Sequence, residues 1–286
     1  MKITEKQQAF LDGLICQRLT ADRKNKDQVP NFSNQMSWVL TEYFLEAAWK
    51  ADEAGNPAIY VIKNQKNEIL FYFGLRCGEL QTPLDEEELK AGIELVQEAL
   101  YQLRFHTGPG VKEQVDLFIE SIRNGRMDFD VALELNDRLD LKNNKLQDLL
   151  RDKHKEKNTH VVRVLKSYPA VEMTHFVAND EAAAFWSRSG IKGKMGETFF
   201  WQFIVPKVQE IRTLVGCDYL YLFSADRDGN RSLVNYYHDK LHFEQPEDVG
   251  TNKPRYDFTC EFMCQKMTDL EANREKFFET FNSTRK

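Results

Sequence analysis

The sequence predicts an α/β (α+β) fold, a sheet flanked by helices, and three stretches predict it. Residues 171–178, V-E-M-T-H-F-V-A, read as a buried strand, and the apolar run 196–211, G-E-T-F-F-W-Q-F-I-V-P-K-V-Q-E-I, reads as a helix that follows it. Upstream, the apolar segments 58–62 and 69–75 flank the polar K-N-Q-K-N-E and read as a hairpin. Downstream, 217–224 (C-D-Y-L-Y-L-F-S) reads as the strand after the helix.

The junction between the first strand and its helix carries a chemical signal. Gly190, Gly193 and Gly196 stand there with Lys192 and Lys194, immediately before the helix begins. A glycine-rich turn at a helix start aims unpaired backbone N–H groups and the positive end of the helix dipole at one spot, which suits a phosphate. Neither the G-x-x-x-x-G-K-[ST] pattern nor the dinucleotide pattern G-x-G-x-x-G is present.

The remaining elements follow in order. Residues 4–19 carry Phe10, Leu11, Leu14, Ile15 and Leu19 at helical spacing, and 21–34 turns polar around Pro30. A second helix is expected over 36–54, with Trp38, Val39, Tyr43, Phe44 and Ala47, stopping at Gly55-Asn56-Pro57. After the hairpin, residues 83–158 change to helical patterning, with Leu89, Ile93, Val96 and Leu100 on one face. They are read as a helical insertion within a single domain of residues 1–286. A helix is expected over 230–243, an alternating strand over 256–264, and a last helix with Leu270, Phe277, Phe278 and Phe281. Pro206 is expected to kink the helix that contains it.

Composition bounds the function. The chain has 286 residues, 42% of them hydrophobic, enough for a sizeable core. Lys+Arg 39 against Asp+Glu 45 gives a net charge of -6, which argues against nucleic acid and anionic membranes as partners and suits cationic amines. The first residues form no basic-then-apolar leader and no apolar run reaches about 18 residues, so a cytoplasmic protein is expected. Five cysteines, an odd number without paired spacing, suggest reduced thiols, and no metal site is expected.

Two motifs carry a family resemblance. Gly193-Lys194-Met195-Gly196-Glu197-Thr198 is similar to the acyl-CoA loop of the GNAT (Gcn5-related N-acetyltransferase) superfamily, Gln/Arg-x-x-Gly-x-Gly/Ala, keeping its middle glycine. Asn230 through Phe243 resembles that family's N-x-x-A-x-x-x-Y-x-x-x-G-F, with Asn230 and Tyr237 at the family spacing, Leu233 at the alanine and His242 before Phe243. The resemblance covers residues 158–265, and 35–80 more loosely.

The resemblance implies a mixed, mostly antiparallel twisted sheet whose acyl-CoA strand separates from the next strand to form a slot. It also implies an acetyl-CoA-dependent N-acetyltransferase acting on an amine of a small molecule or a protein. The alternative is a catalytically weak acyl-CoA-binding or interaction module on the same fold. The inserted helices would then cap the substrate entrance, dock a partner or pack a homodimer.

Site residues follow from this alignment. Glu172 is the first candidate for the base that takes a proton from the amine, with His175 as its rival because an imidazole titrates near neutrality. On a regular strand Glu172, Thr174 and Phe176 share one face and His175 takes the other. Tyr237 is the expected acid toward the CoA sulfur; its neighbour Tyr236 diverges by about 100° on a helix, so only one of them faces the sulfur. The main chain of Phe176, Val177 and Ala178 would pair with the pantetheine amides. Backbone N–H groups of Lys194, Met195, Gly196, Glu197 and Thr198 would hold the pyrophosphate. Asn230 would cap the helix and reach the cofactor.

Overall fold

The computed structural model describes residues 4–82, 120, 166–226, 230–247, 249–251 and 260–282. The chain divides into two compact units: Met1–Leu80, Tyr168–Glu247 and Thr251–Lys286 form the first, and Gln81–Ser167 with Asp248–Gly250 the second. In the second, Gln81 and Gly250 exchange backbone hydrogen bonds of 2.7 and 2.9 Å. The insertion expected over 83–158 lies, Glu120 apart, outside the described residues.

The first unit opens with helix α1 (Glu5–Asp12). Thr4 and Gln7 bond reciprocally across its first turn, a capping box that satisfies two donors the helix leaves open. The helix expected over 4–19 ends at Gly13, and β1 (Ile15–Arg18) follows as a strand antiparallel to β2 (Ala58–Lys63). The helical spacing of Leu14, Ile15 and Leu19 yields there to a ladder with a partner more than 40 residues away in sequence. Helix α2 (Lys24–Gln28) precedes α3 (Trp38–Glu46) and α4 (Ala48–Ala54), so the single helix expected over 36–54 is broken at Ala47.

Asp52 of α4 ties these pieces to the sheet. Its buried carboxylate, on a residue 2% exposed, accepts from Arg18 Nε (2.6 Å), the backbone N–H of Thr20 (2.9 Å) and of Ile59 (2.7 Å), and the Thr20 hydroxyl (2.7 Å). One side chain therefore joins β1, the segment after it and β2.

The hairpin of β2 with β3 (Ile69–Thr82) is present as expected. Then come β4 (Lys166–Ala178), α5 (Ala183–Arg188), α6 (Met195–Phe199), a π-helical turn (Phe200–Ile204) and α7 (Val205–Leu214). β5 (Tyr219–Ser224), α8 (Ser232–Leu241), β6 (Glu261–Lys266) and α9 (Met267–Asn282) complete the unit. Pro206 falls in the first turn of α7, directly after the π turn. The expected irregularity is this widened turn, where the hydrogen-bond register changes and a residue without an N–H is tolerated.

The six strands lie in sequence order, β1 to β6. β1–β2–β3 and β5–β6 pair antiparallel and β4–β5 pairs parallel, which gives the mixed, mostly antiparallel sheet. On one face, Phe71 and Phe73 of β3, Val171 and Met173 of β4 and Leu220 of β5 pack with Phe199, Phe200 and Trp201, and with Val234 and Leu241 of α8. On the other face, Ile59, Val61, Tyr72 and Val177 pack with Phe32, Phe44 and Ala48. Fully burying such a side chain is worth about 1.5–3 kcal/mol, so helices on both faces hold the sheet.

Candidate active site

The geometry begins where two strands part. β4 and β5 pair at only three positions, Ala170↔Tyr219, Val171↔Leu220 and Glu172↔Tyr221. Beyond them β4 runs on to Ala178, whereas β5 stays paired with β6 through Ser224. A parallel pair thus opens at Glu172, and each of its strands is followed by a helix. The architecture is GNAT-like.

β4 is also irregular inside the opening. Val171 and Met173 belong to the same core as Phe176 and Ala178, while Val177 belongs to the opposite one. The two-residue alternation therefore slips by one between Met173 and Phe176. The expected facing is corrected accordingly: Phe176 lies on the face of Val171 and Met173. His175 joins the opposite face, where its ring stacks on Tyr43 at 4.2 Å. Thr174 and His175 both press toward Gly74 of β3: a Cβ added there would meet His175 Nδ1 at 2.9 Å and Thr174 Oγ1 closer still. Glycine on the neighbouring strand makes room for the slip.

The turn before α6 is built to expose N–H groups. Gly190, at φ +67, has its carbonyl held by Gln7 Nε2 (2.7 Å), and the Gly193 carbonyl accepts from Trp186 Nε1 (3.0 Å). In a trans peptide the C=O and N–H point opposite ways, so the second bond turns the Lys194 N–H away from Trp186. Thr198 N–H bonds the Lys194 carbonyl (3.1 Å), and the amides of Met195, Gly196 and Glu197 are first-turn donors without intrahelical partners. Thr198 is 0% exposed, and among the described residues its hydroxyl has no partner. This donor set, with Lys194 beside it, suits a pyrophosphate.

Gly196 has a packing reason as well. A Cβ there would lie 3.1 Å from the Tyr236 hydroxyl and 3.1 and 3.2 Å from two Phe176 ring carbons. Tyr236 therefore reaches the turn, and Lys194 Nζ sits 5.2 Å from the centre of its ring. Tyr237 is instead 7% exposed within the core, 6.1 Å between ring centres from both Phe176 and Phe243. Burial pushes both phenols well above their ordinary range, so each remains a proton donor at neutral pH.

Asn230 does not cap α8. It is exposed, and the Asp226 carboxylate accepts from Leu233 N–H and Val234 N–H, both at 2.8 Å, because Arg231 at φ 54 turns the chain between them. At the end of β4, Val177 is buried and the Ala178 carbonyl is taken by Asn34 Nδ2 (2.9 Å). That carbonyl is thus engaged within the protein.

Glu172 lies at the mouth of the opening and lines a cavity of about 300 Å³ with Asn56, Arg76, Cys77, Tyr221, Phe223 and Thr251. It is 3% exposed. Its Oε2 accepts from Arg76 Nε (2.7 Å) and from the Tyr221 hydroxyl (3.0 Å), and among the described residues no donor reaches Oε1. His175 does not line this cavity. Its Nδ1 is 2.8 Å from Thr174 Oγ1, and burial, with Arg76 second, pushes its pKa down to about 4. It is neutral at neutral pH.

Sequence reasoning missed Arg76 and Tyr221. Tyr221 sits in a strand that reads only as apolar and Arg76 directly after the segment 69–75, and their convergence on Glu172 depends on cross-strand register. Among the described residues no group of three or more His, Cys, Asp or Glu stands as a metal would require, and no helix is long and apolar enough to cross a membrane.

No family model and no curated protein matches the sequence. Solved structures that resemble the chain include AtaTR bound with acetyl-CoA (11% identity, TM-score 0.46, covering 92% of this chain and 98% of that one). AtaT complexed with acetyl-methionyl-tRNAfMet matches at 10% identity and TM-score 0.47, over 91% and 98% of the two chains. The KacTA–DNA complex matches at 10% identity and TM-score 0.47, over 92% and 99%. At this identity and overlap the likeness decides nothing about activity.

One expectation is withdrawn. Nucleic acid was excluded on net charge, yet two of these similar structures hold tRNA or DNA. A formal charge of -6 averages the whole surface, whereas phosphate contacts depend on where the cations cluster.

Proposed function

We propose that this protein transfers an acetyl group from acetyl-CoA to an amine, with Glu172 as the base. The observation that carries the reading is the opening of the β4–β5 pair at a buried carboxylate that also lines a cavity. Acetyl-CoA supplies the activated acyl group. The N–H groups from Lys194 to Glu197, with Thr198 behind them, hold its pyrophosphate, and the main chain of Phe176 and Val177 orients the pantetheine arm. In the cavity, Glu172 Oε1 accepts a proton from the incoming amine while Oε2 stays fixed by Arg76 and Tyr221. His175, neutral and packed on Tyr43, supports the strand slip.

For the acid we keep Tyr237, the tyrosine at the family spacing, because the Tyr236 hydroxyl lies beside Gly196, at the pyrophosphate end of the site and a pantetheine arm away from the sulfur. Tyr237→Phe is expected to lower turnover by about tenfold to a hundredfold with acetyl-CoA affinity unchanged, and Tyr236→Phe to leave turnover within a few-fold. The reverse ranking in steady-state kinetics moves the role to Tyr236.

The deciding experiment is calorimetric titration with acetyl-CoA, and separately with NADH and ATP, followed by a screen of small amines, peptides and aminoacyl-tRNA for acetylation. Micromolar binding of acetyl-CoA alone, with an acetylated amine, is expected. No binding refutes the reading. Binding without any acetylated amine favours the binding-module alternative, to which the prior engagement of Glu172 by Arg76 and Tyr221 lends weight.

A further inference from the structure

Tyr221 is the direct cross-strand partner of Glu172 in the short parallel pair, and their side chains meet on one face of the sheet. The phenol also lies over Gly78 of β3. A Cβ at Gly78 would fall 2.6 and 2.8 Å from two Tyr221 ring carbons and nearer still to the hydroxyl oxygen, well inside the roughly 3.5–4.0 Å at which carbon atoms pack. No side chain larger than hydrogen leaves the ring where it is. Arg76 stands two residues before Gly78 and brings the second donor to the same carboxylate oxygen. Tyr221 stays protonated because burial, and then the Glu172 charge, push its pKa well up, so it remains a donor.

We infer that Gly78 and Tyr221 are positioning residues: the bare glycine surface of β3 admits the Tyr221 phenol, which pins Glu172 Oε2 and presents Oε1 to the cavity. The inference rests on the acetyltransferase reading, in which Oε1 takes the proton. Without the pin, the carboxylate is held by Arg76 alone and can swing about its last torsion. A displacement of about 1 Å at a reacting group lowers rates by up to about a hundredfold.

Two arms test this on the full chain. In steady-state kinetics, Tyr221→Phe and Gly78→Ala each lower kcat about tenfold or more, leave the KM for acetyl-CoA unchanged, and lower kcat no further when combined, since both remove one hydrogen bond. Multiplicative losses, or losses confined to KM, overturn the inference. In thermal unfolding, Gly78→Ala lowers the Tm by several degrees in the wild-type background and leaves it unchanged in a Tyr221→Leu background, where the ring is gone. Equal losses in both backgrounds overturn the contact itself. The unfolding arm needs no turnover. A wild-type protein that binds no acetyl-CoA therefore defeats the transferase reading separately, and with it the role assigned to the pin.

Discussion

Glu172→Gln is expected to lower the rate of amine acetylation by about a hundredfold to ten-thousandfold while acetyl-CoA binds as before. The amide keeps the shape of the carboxylate, and its oxygen still accepts from Arg76 Nε and the Tyr221 hydroxyl. It cannot take a proton from an amine near neutral pH, and loss of a positioned base costs rates in this range. Arg76 also loses its ionic partner, a 2.7 Å pair whose arginine side chain is 42% exposed. Solvent compensates that loss in part, so the fold should persist. Steady-state kinetics on the variant, with calorimetry for the cofactor, separates the two effects. Turnover within twofold of wild type would remove Glu172 from the chemistry.

The largest stability effect is expected at Asp52. In Asp52→Ala, the N–H groups of Thr20 and Ile59 and the Thr20 hydroxyl lose their acceptor, and Arg18 loses its ion-pair partner. Each unsatisfied buried group costs about 1–3 kcal/mol, whereas Arg18, whose side chain is 35% exposed, is left partly solvated and adds less. These terms overlap, so a loss of about 3–5 kcal/mol is expected by urea unfolding, with β1 the first element to detach. A loss below about 1 kcal/mol would mean that water replaces the carboxylate and that the junction is not sealed.

Much of this protein could be read without coordinates. The hairpin of β2 and β3, the strand–turn–helix at the glycines, and the strand and helix after it are local patterns of period two or 3.6 broken by glycine and proline. Backbone amides at a helix start suit an anion whatever the side chains, so the turn at Lys194–Thr198 could be singled out from spacing alone. Tertiary pairing decided the rest. Ile15–Arg18 carries helical spacing and is a strand because β2 offers it a ladder. The slip at Thr174 and His175, which moves Phe176 to one face and His175 to the other, needs room at Gly74, about a hundred residues away in the chain. Tyr236 and Tyr237 are adjacent and alike in sequence, and only the packing of Phe176 and Phe243 around the second leaves the first beside Gly196. The carboxylate of Glu172 is fixed by donors 96 and 49 residues distant. Local spacing specifies which elements form. Which side chains then converge depends on strand register and on the space that glycines leave, and both are set by contacts between segments far apart in the chain.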